Sequence, residues 1–172
     1  MKRKLMWLAG IGAIAALAYA QTVTVRGAFG HGLAGHPDAE RPNAQFNFSV
    51  KQVEYNGQTR TGGGFAIEVR TEQSLTTIQM ANANRIAVDM ENHAATFSGP
   101  AVAVQRTRQG VQRTRGVAVV RVGDLRNPRT GEGDPDTIAV RFFVEGNEEP
   151  VFTYRGIVRR GDIVVFEETR SR

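Results

Sequence analysis

An arginine-bearing pattern occurs twice in succession near the middle of the chain. The letters VQRTRQG, residues 104–110, are followed at once by VQRTRG, residues 111–116. If Gln109-Gly110 lies near the turn of a hairpin, alternate residues of each strand share one side. Pairing of the two strands would then gather four guanidinium groups into one patch: Arg106, Arg108, Arg113 and Arg115.

A patch of this kind suits phosphate, sulfate or carboxylate groups, because each guanidinium is planar, permanently charged and able to form two parallel hydrogen bonds. The segment contains no aromatic residue, which argues against a stacking surface for single-stranded nucleic acid. The same pattern is also typical of a solvated hairpin tip that grew by a small duplication. Two interpretations therefore stay open: a polyanion-binding hairpin, and an exposed tip without a partner.

A second candidate site is an acidic loop that follows the repeat. Its glycine and proline residues are interleaved with four carboxylates: Asp124, Glu132, Asp134 and Asp136. Calcium takes six to eight oxygen ligands, and glycine lets the backbone fold around the ion. However, the spacing is not that of an EF-hand, and Arg126 and Arg129 bring opposing charge. The loop therefore predicts either a weak calcium site, with no other cofactor expected, or an ordinary turn.

The remaining polar residues form no catalytic motif. His31 and His36 lie in a glycine-rich stretch, and His93 stands alone after a turn. Adjacent glutamates at positions 148–149 and 167–168 would point to opposite faces of a strand. No serine has the sequence context of a nucleophile elbow. We therefore predict a protein that is not an enzyme, with a small hydrolase as the disfavoured alternative.

The elements that must position these residues are predicted to be β-strands. Apolar residues alternate with polar ones in short runs, as in Phe46, Phe48 and Val50, and glycine, asparagine or proline separates the runs. Such alternation indicates half-buried antiparallel strands. No segment after residue 20 keeps helical spacing over three turns with a cap and a stop. The predicted fold is all-β, an antiparallel β-sandwich with a β-barrel as the alternative.

Both ends of this predicted body have distinctive local patterns. Residues 22–25 alternate as a short strand, and a Gly/His/Pro-rich stretch, residues 27–42, breaks the alternation. That stretch is long enough for the strand to pair either within its own molecule or with a neighbouring copy of the chain. Near the other end, Gly161 is placed to supply the positive φ of a tight hairpin between two closing strands.

Several of these segments together resemble a known family. They are the strand of Phe46, Phe48 and Val50, the letters AATFSG at 94–99, GEGDPDTI at 131–138, Tyr154 with Gly156, and Gly161 with Ile163 and Val165. The chain resembles the post-COAP domain of secreted bacterial proteins over residues 23–167. That resemblance implies no catalytic residues and no established activity. Members of the family often carry a cysteine pair in the central hairpin, whereas this chain has no cysteine.

The first twenty residues are predicted to be a cleaved signal peptide with an N-terminal signal helix. Lys2, Arg3 and Lys4 precede an uncharged apolar run, and Ala18, Ala20 and Gln21 mark a small-x-small cleavage site. The apolar run is short for a membrane span, which needs about 20 residues. We predict that residues 21–42 form the N-terminal strand and Gly/Pro-rich segment, as part of the same domain as the β-sandwich of residues 43–172.

Cleavage removes three basic residues and leaves 19 basic against 17 acidic residues, a formal net charge of +2. This balance predicts no general polyanion-binding surface. Lys51 is the single lysine among those 19, the others being arginine. We predict a secreted or periplasmic, non-catalytic module with a structural or surface-interaction role. The alternative is a module that binds anionic polymers such as polysaccharide, lipid headgroups or extracellular DNA. The partner would be such a cell-surface polymer or an envelope protein, and the protein a monomer or a strand-exchanged homo-oligomer.

Overall fold

The computed structural model describes residues 22–127 and 129–171, which form nine β-strands and no helix. In chain order the strands are β1 (Thr22–Gly35), β2 (Ala44–Tyr55), β3 (Gln58–Arg70), β4 (Ser74–Met80), β5 (Arg85–Asp89), β6 (Ala94–Thr107), β7 (Gly110–Gly123), β8 (Thr137–Phe143) and β9 (Phe152–Ser171). No helix of membrane-spanning length and hydropathy occurs in these residues. The predicted signal peptide and the junction at Ala20 and Gln21 lie outside them.

The nine strands form one antiparallel sheet in the order β4-β3-β2-β1-β9-β8-β7-β6-β5. Strand β4 also pairs with β6, and this pairing joins the two ends of the sheet. Eight strands therefore complete a ring. Strand β5 pairs with the remaining part of the same edge of β6. The prediction of an all-β, antiparallel fold is confirmed.

Opposite walls of this closed sheet pack against each other across one core. The ring centroids of Phe48 on β2 and Phe97 on β6 are 5.3 Å apart, and those of Phe65 on β3 and Phe97 are 6.0 Å apart. Since neither β2 nor β3 is hydrogen-bonded to β6 in the sheet, both contacts cross the interior. The opposite walls therefore pack against each other as the two layers of a β-sandwich do. Hydrogen bonds also join the two walls into one closed sheet, as in a β-barrel, which is the alternative prediction.

Alternation along the strands explains which side chains fill the core. On β2, Phe46, Phe48 and Val50 are buried, and the residues between them are exposed. Full burial of an apolar side chain of this size contributes about 1.5–3 kcal/mol. On β7, Ala118, Val120 and Val122 are buried in the same manner. The predicted face of β2 is confirmed.

The glycine-rich stretch after residue 26 is part of a strand, which corrects the prediction that it breaks the alternation. Strand β1 continues to Gly35 and pairs with β2 on one side and with β9 on the other. At Gly30 a Cβ atom would lie 2.8 Å from the carbonyl oxygen of Asp162 and 2.9 Å from the Phe48 ring. Glycine is therefore used here because neighbouring atoms leave no room for a side chain.

The predicted closing hairpin around Gly161 is wrong, because β9 runs through this position as a single strand of 20 residues. Gly161 does have a positive φ, of 104°. Its partner in the ladder is Gly32, and Arg159 is an extra residue at a register shift close by. The positive φ therefore belongs to a bend next to a β-bulge and not to a chain reversal.

Candidate functional site: an arginine-bearing outer face

The repeated arginine pattern forms the two strands of the β6–β7 hairpin. The last ladder pair is Thr107 with Gly110, so Arg108 and Gln109 make the turn. Arg106, Arg113 and Arg115 are exposed on the outer face, whose residues alternate with those directed to the interior. Arg108 is also exposed but lies in the turn. We call these four arginines the hairpin patch.

The hairpin patch forms no ion pair among the described residues, and Glu72 is the carboxylate that lines a concavity together with Arg108. Val104 and Val102 lie directly opposite Arg113 and Arg115 on the neighbouring strand. Strands β6, β7 and β8 contain no aspartate or glutamate at all. Positive charge on this part of the outer face is therefore not compensated within the strands that carry it.

Three further arginines, which the sequence analysis did not identify as a group, lie on the same outer face. Arg121 on β7 pairs with Ala139 on β8, and Ala139 pairs with Arg155 on β9. Arg141 follows Ala139 by two residues and therefore shares its face. Period-two spacing places each arginine outward in its own strand. Only the register between strands shows that all three surround Ala139.

A concave groove lies over this position, with a volume of about 640 Å³. Arg121, Arg141 and Arg155 line it, together with the small side chain of Ala139. The hydroxyl-bearing side chains of Thr137 and Thr153 contribute to the same lining. We call this concavity the Ala139 groove. It combines room for a ligand with three guanidinium groups and two hydroxyl groups.

The acidic residues predicted as a weak calcium site do not form a ligand set. Asp136 is 3% exposed, and its carboxylate accepts hydrogen bonds from the backbone N–H groups of Leu125, Arg126 and Ile163 at 2.9–3.0 Å. The carboxylate of Asp124 accepts one from the N–H of Val165 at 3.0 Å. Glu132 and Asp134 are exposed in the loop. Among the described residues no group of three or more acidic or histidine side chains is arranged to hold a metal ion.

These hydrogen bonds give the acidic loop a structural role at the edge of β9. Ile163 and Val165 lie beyond the part of β9 that pairs with β8, so their N–H groups would otherwise have no ladder partner on that side. Burial raises the pKa of the Asp124 carboxyl. Burial also raises the pKa of Asp162, and the negative charge of Asp136 adds to that rise. The Asp136 carboxylate therefore lies close enough to Asp124 and Asp162 to raise the pKa of both, while backbone N–H groups hold the carboxylates of Asp124 and Asp136.

Each of the three histidines lies beside an acidic residue, and the carbonyl oxygen of His93 accepts a hydrogen bond from the backbone N–H of Asp124 at 2.8 Å. His31 pairs with Asp162 in the β1–β9 ladder, and the His36 Nδ1 atom lies 3.4 Å from an Asp38 oxygen in an exposed loop. No hydrogen bond joins a serine hydroxyl to a histidine within the described chain. Glu167 faces Arg26, at 3.8 Å, whereas Glu168 contacts Arg170, at 2.8 Å. The predicted opposite orientation holds for this pair, whereas Glu148 and Glu149 lie in the loop between β8 and β9 and not on a strand.

Comparison with known proteins adds no relative to this description. No family model matches the chain, and neither the curated proteins nor the solved structures contain a match. The resemblance to the post-COAP domain stays a prediction. Functional inference therefore depends on the outer face itself.

Proposed function

We propose that this protein is a secreted, non-catalytic module that binds anionic polymers through the outer face of β6, β7, β8 and the first part of β9. The observation that carries the proposal is the composition of this face. It presents seven exposed arginines, and the three complete strands beneath it contain no carboxylate. The seven arginines are Arg106, Arg108, Arg113, Arg115, Arg121, Arg141 and Arg155.

The charge distribution of the whole chain makes this concentration informative. After removal of the signal peptide the formal net charge is only +2. A nearly balanced protein attracts polyanions weakly as a whole, but a local concentration of one sign attracts them at that face. Two exposed arginines elsewhere on the protein, Arg70 and Arg170, lie within 4 Å of a glutamate and are partly neutralised. Others, such as Arg60 on β3 and Arg126 and Arg129 in the loop after β7, form no ion pair with a described carboxylate but lie outside β6, β7 and β8.

The chemistry of the face favours a repeating anion over a stacked base. Each arginine offers a planar fork that pairs with two oxygens of phosphate, sulfate or carboxylate. In β6, β7 and β8 the only outward aromatic side chain is Phe143, which is half-buried. Successive stacking platforms, the usual device for single-stranded nucleic acid, are therefore lacking in this part of the described chain. A polysaccharide or another polymer with regularly spaced anions suits the face better.

Retention on immobilised dextran sulfate tests this proposal directly. We expect the mature protein to be retained at low salt and released at moderate salt, since exposed charges are screened within about 8 Å at physiological ionic strength. Replacing the hairpin patch, as R106Q/R108Q/R113Q/R115Q, should abolish most of this retention. These side chains are exposed and make no described ion pair, so the fold should be unaffected.

A matched control removes the same amount of charge elsewhere. Lys51, Arg60, Arg126 and Arg129 are also exposed, and none of them is in an ion pair with a described carboxylate. The variant K51Q/R60Q/R126Q/R129Q should therefore be retained nearly as well as the unmodified protein. Equal loss in both variants would show that only net charge matters and would overturn the proposal. Undiminished retention of the hairpin variant would do the same.

A purely structural envelope module is the competing role. Such a module needs no anionic partner, so it predicts flow-through of the unmodified protein at physiological salt. The same column therefore separates the two roles.

A further inference from the structure

We propose that the Ala139 groove is a specific subsite for a tetrahedral oxyanion ester, a sulfate or phosphate group carried by a sugar or a similar small unit. This inference deepens the proposed function, on which it rests, because it names the group that one part of the outer face selects. The hairpin patch is an open surface. The groove, in contrast, is concave and has room for a defined ligand, about 640 Å³.

The strand register brings the three guanidinium groups of the groove around one small residue. Arg121 and Arg155 lie on either side of Ala139 in one row across β7, β8 and β9. Their backbones are thus two strand spacings apart, about 9.6 Å. Arg141 approaches from the next outward position on the middle strand. Because Ala139 has only a methyl group, the space between the arginines stays open at its base.

The three arginines of the groove form no close ion pair in the described part of the protein. None of them is within 4 Å of a described carboxylate oxygen. The charge of Arg121 contributes to lowering the pKa of the Asp89 carboxyl, but less than the hydrogen bonds to that carboxylate do. Hydrogen bonds from Asn92 hold the Asp89 carboxylate and are the main cause of its lowered pKa. Like charges held close together favour binding of an anion between them.

The number of donors points to a tetrahedral group. One guanidinium fork already satisfies both oxygens of a planar carboxylate. Three forks that line one groove from three strands offer more donors than one carboxylate can accept, whereas a sulfate or phosphate ester provides three terminal oxygens. Thr137 and Thr153 line the same groove and add hydroxyl donors. The bridging oxygen of the ester leaves the carrier sugar in the open mouth of the groove.

An NMR titration with three glucose derivatives tests the subsite. Glucose 6-sulfate and glucose 6-phosphate should produce saturable shifts of backbone amide signals in residues 119–123, 137–141 and 153–157. Glucuronate should bind about tenfold more weakly or worse, because it lacks the third oxygen. Whichever of the two esters binds more tightly identifies the source of the oxyanion. Equal affinity for glucuronate would overturn the assignment.

Two variants place the binding in the groove. Ala139→Leu fills the space between the arginines without changing charge, and we expect a loss of about tenfold or more in ester affinity. Its control is Ala66→Leu, because Ala66 is likewise half-buried and outward on a strand; this variant should bind the esters as the unmodified protein does. If Ala139→Leu fails to fold, the exposed pair R121Q/R155Q should show the same loss.

Failure of this inference differs visibly from failure of the proposed function. If Ala139→Leu and R121Q/R155Q both bind the esters normally, the groove assignment is wrong, while retention on dextran sulfate through the hairpin patch can persist. If the unmodified protein is not retained on dextran sulfate, the proposal of a polymer-binding face fails. If the esters still saturate the groove in that case, the groove is a site for small molecules only.

Discussion

At the scale of single residues, Asp136 shows how a residue predicted for one role can serve another. The loop in which it lies predicted a weak calcium site; in the structure its buried carboxylate accepts hydrogen bonds from three backbone N–H groups of two separate segments. A carboxylate in a Gly/Asp/Pro loop looks the same in sequence whether it binds a metal or the backbone. The role of Asp136 depends on its hydrogen bond with the N–H group of Ile163, which is 27 positions away in the chain.

Replacing Asp136 by alanine should therefore destabilise the fold strongly. The buried N–H group of Ile163, left without a partner, costs about 1–3 kcal/mol, and the part-buried N–H groups of Leu125 and Arg126 add to this, so the free energy of unfolding should fall by about 2 kcal/mol or more. Urea denaturation measures the change. Asp134→Ala serves as the control, since Asp134 is exposed in the same loop, and it should change stability by less than about 0.5 kcal/mol. A similar small effect for Asp136→Ala would contradict the structural role.

Asp162 gives a prediction about pH. Burial and the charge of Asp136 raise its pKa in the folded state above the ordinary value of 3.8. The folded state therefore holds the proton more tightly than the unfolded chain does, and this group's contribution to stability falls as pH rises from about 3.8 through the raised value. Asp124 acts in the same direction, because burial raises its pKa too.

Asp162→Asn should make the protein more stable at pH 7 and reduce the loss of stability between acidic and neutral pH. Unfolding by urea at several pH values between 3 and 7 measures both effects, and Asp134→Asn is the control. An Asp162→Asn protein that is less stable than the unmodified protein at pH 7 would show that the ionised carboxylate stabilises the fold.

At the scale of elements, alternation predicted most strands but not their partners. Phe46, Phe48 and Val50 face the core as expected because their spacing alone determines the buried face. Strand β1 was missed after residue 26, since glycine is as typical of a linker as of a strand that other atoms approach closely. The arginines of the Ala139 groove were also missed, because the register of β7, β8 and β9 depends on contacts between distant segments.

The bend in β9 provides a test at this scale. A Cβ atom at Gly161 would lie 2.0 Å from the carbonyl oxygen of His31, at a φ of 104° that side chains disfavour. Gly161→Ala should therefore destabilise the protein by about 2–4 kcal/mol or more, through both the clash and the backbone strain. Thermal or urea unfolding measures the change.

Gly57→Ala separates the two causes. Gly57 also has a positive φ, of 72°, but no atom lies within 4 Å of the added Cβ position. Gly57→Ala should lower the free energy of unfolding by only about 1 kcal/mol, because the alanine would adopt a left-handed conformation without a clash. Equal costs at both positions would mean that β1 and β9 are not closely apposed at Gly161.

At the scale of the whole molecule, closure of the sheet explains why one continuous outer face exists. Strand β4 pairs with β6 instead of its successor β5, which alternation within each segment cannot show. This crossover distinguishes a closed ring from two separate layers. The buried sides of the strands are occupied by the common core, so the outer side of β6 to β9 is free to carry arginines. The clustering of arginines on one face therefore results from the fold and not from the net charge of the chain.

Chemical protection of arginine in the intact folded protein tests the central claim most directly. Phenylglyoxal modifies accessible arginine side chains, and mass spectrometry with and without dextran sulfate reports which of them the polymer covers. We predict protection at Arg106, Arg108, Arg113, Arg115, Arg121, Arg141 and Arg155, with little change at Arg60, Arg126 and Arg129. Uniform protection of both groups, or protection of the second group alone, would contradict the assignment of the binding face.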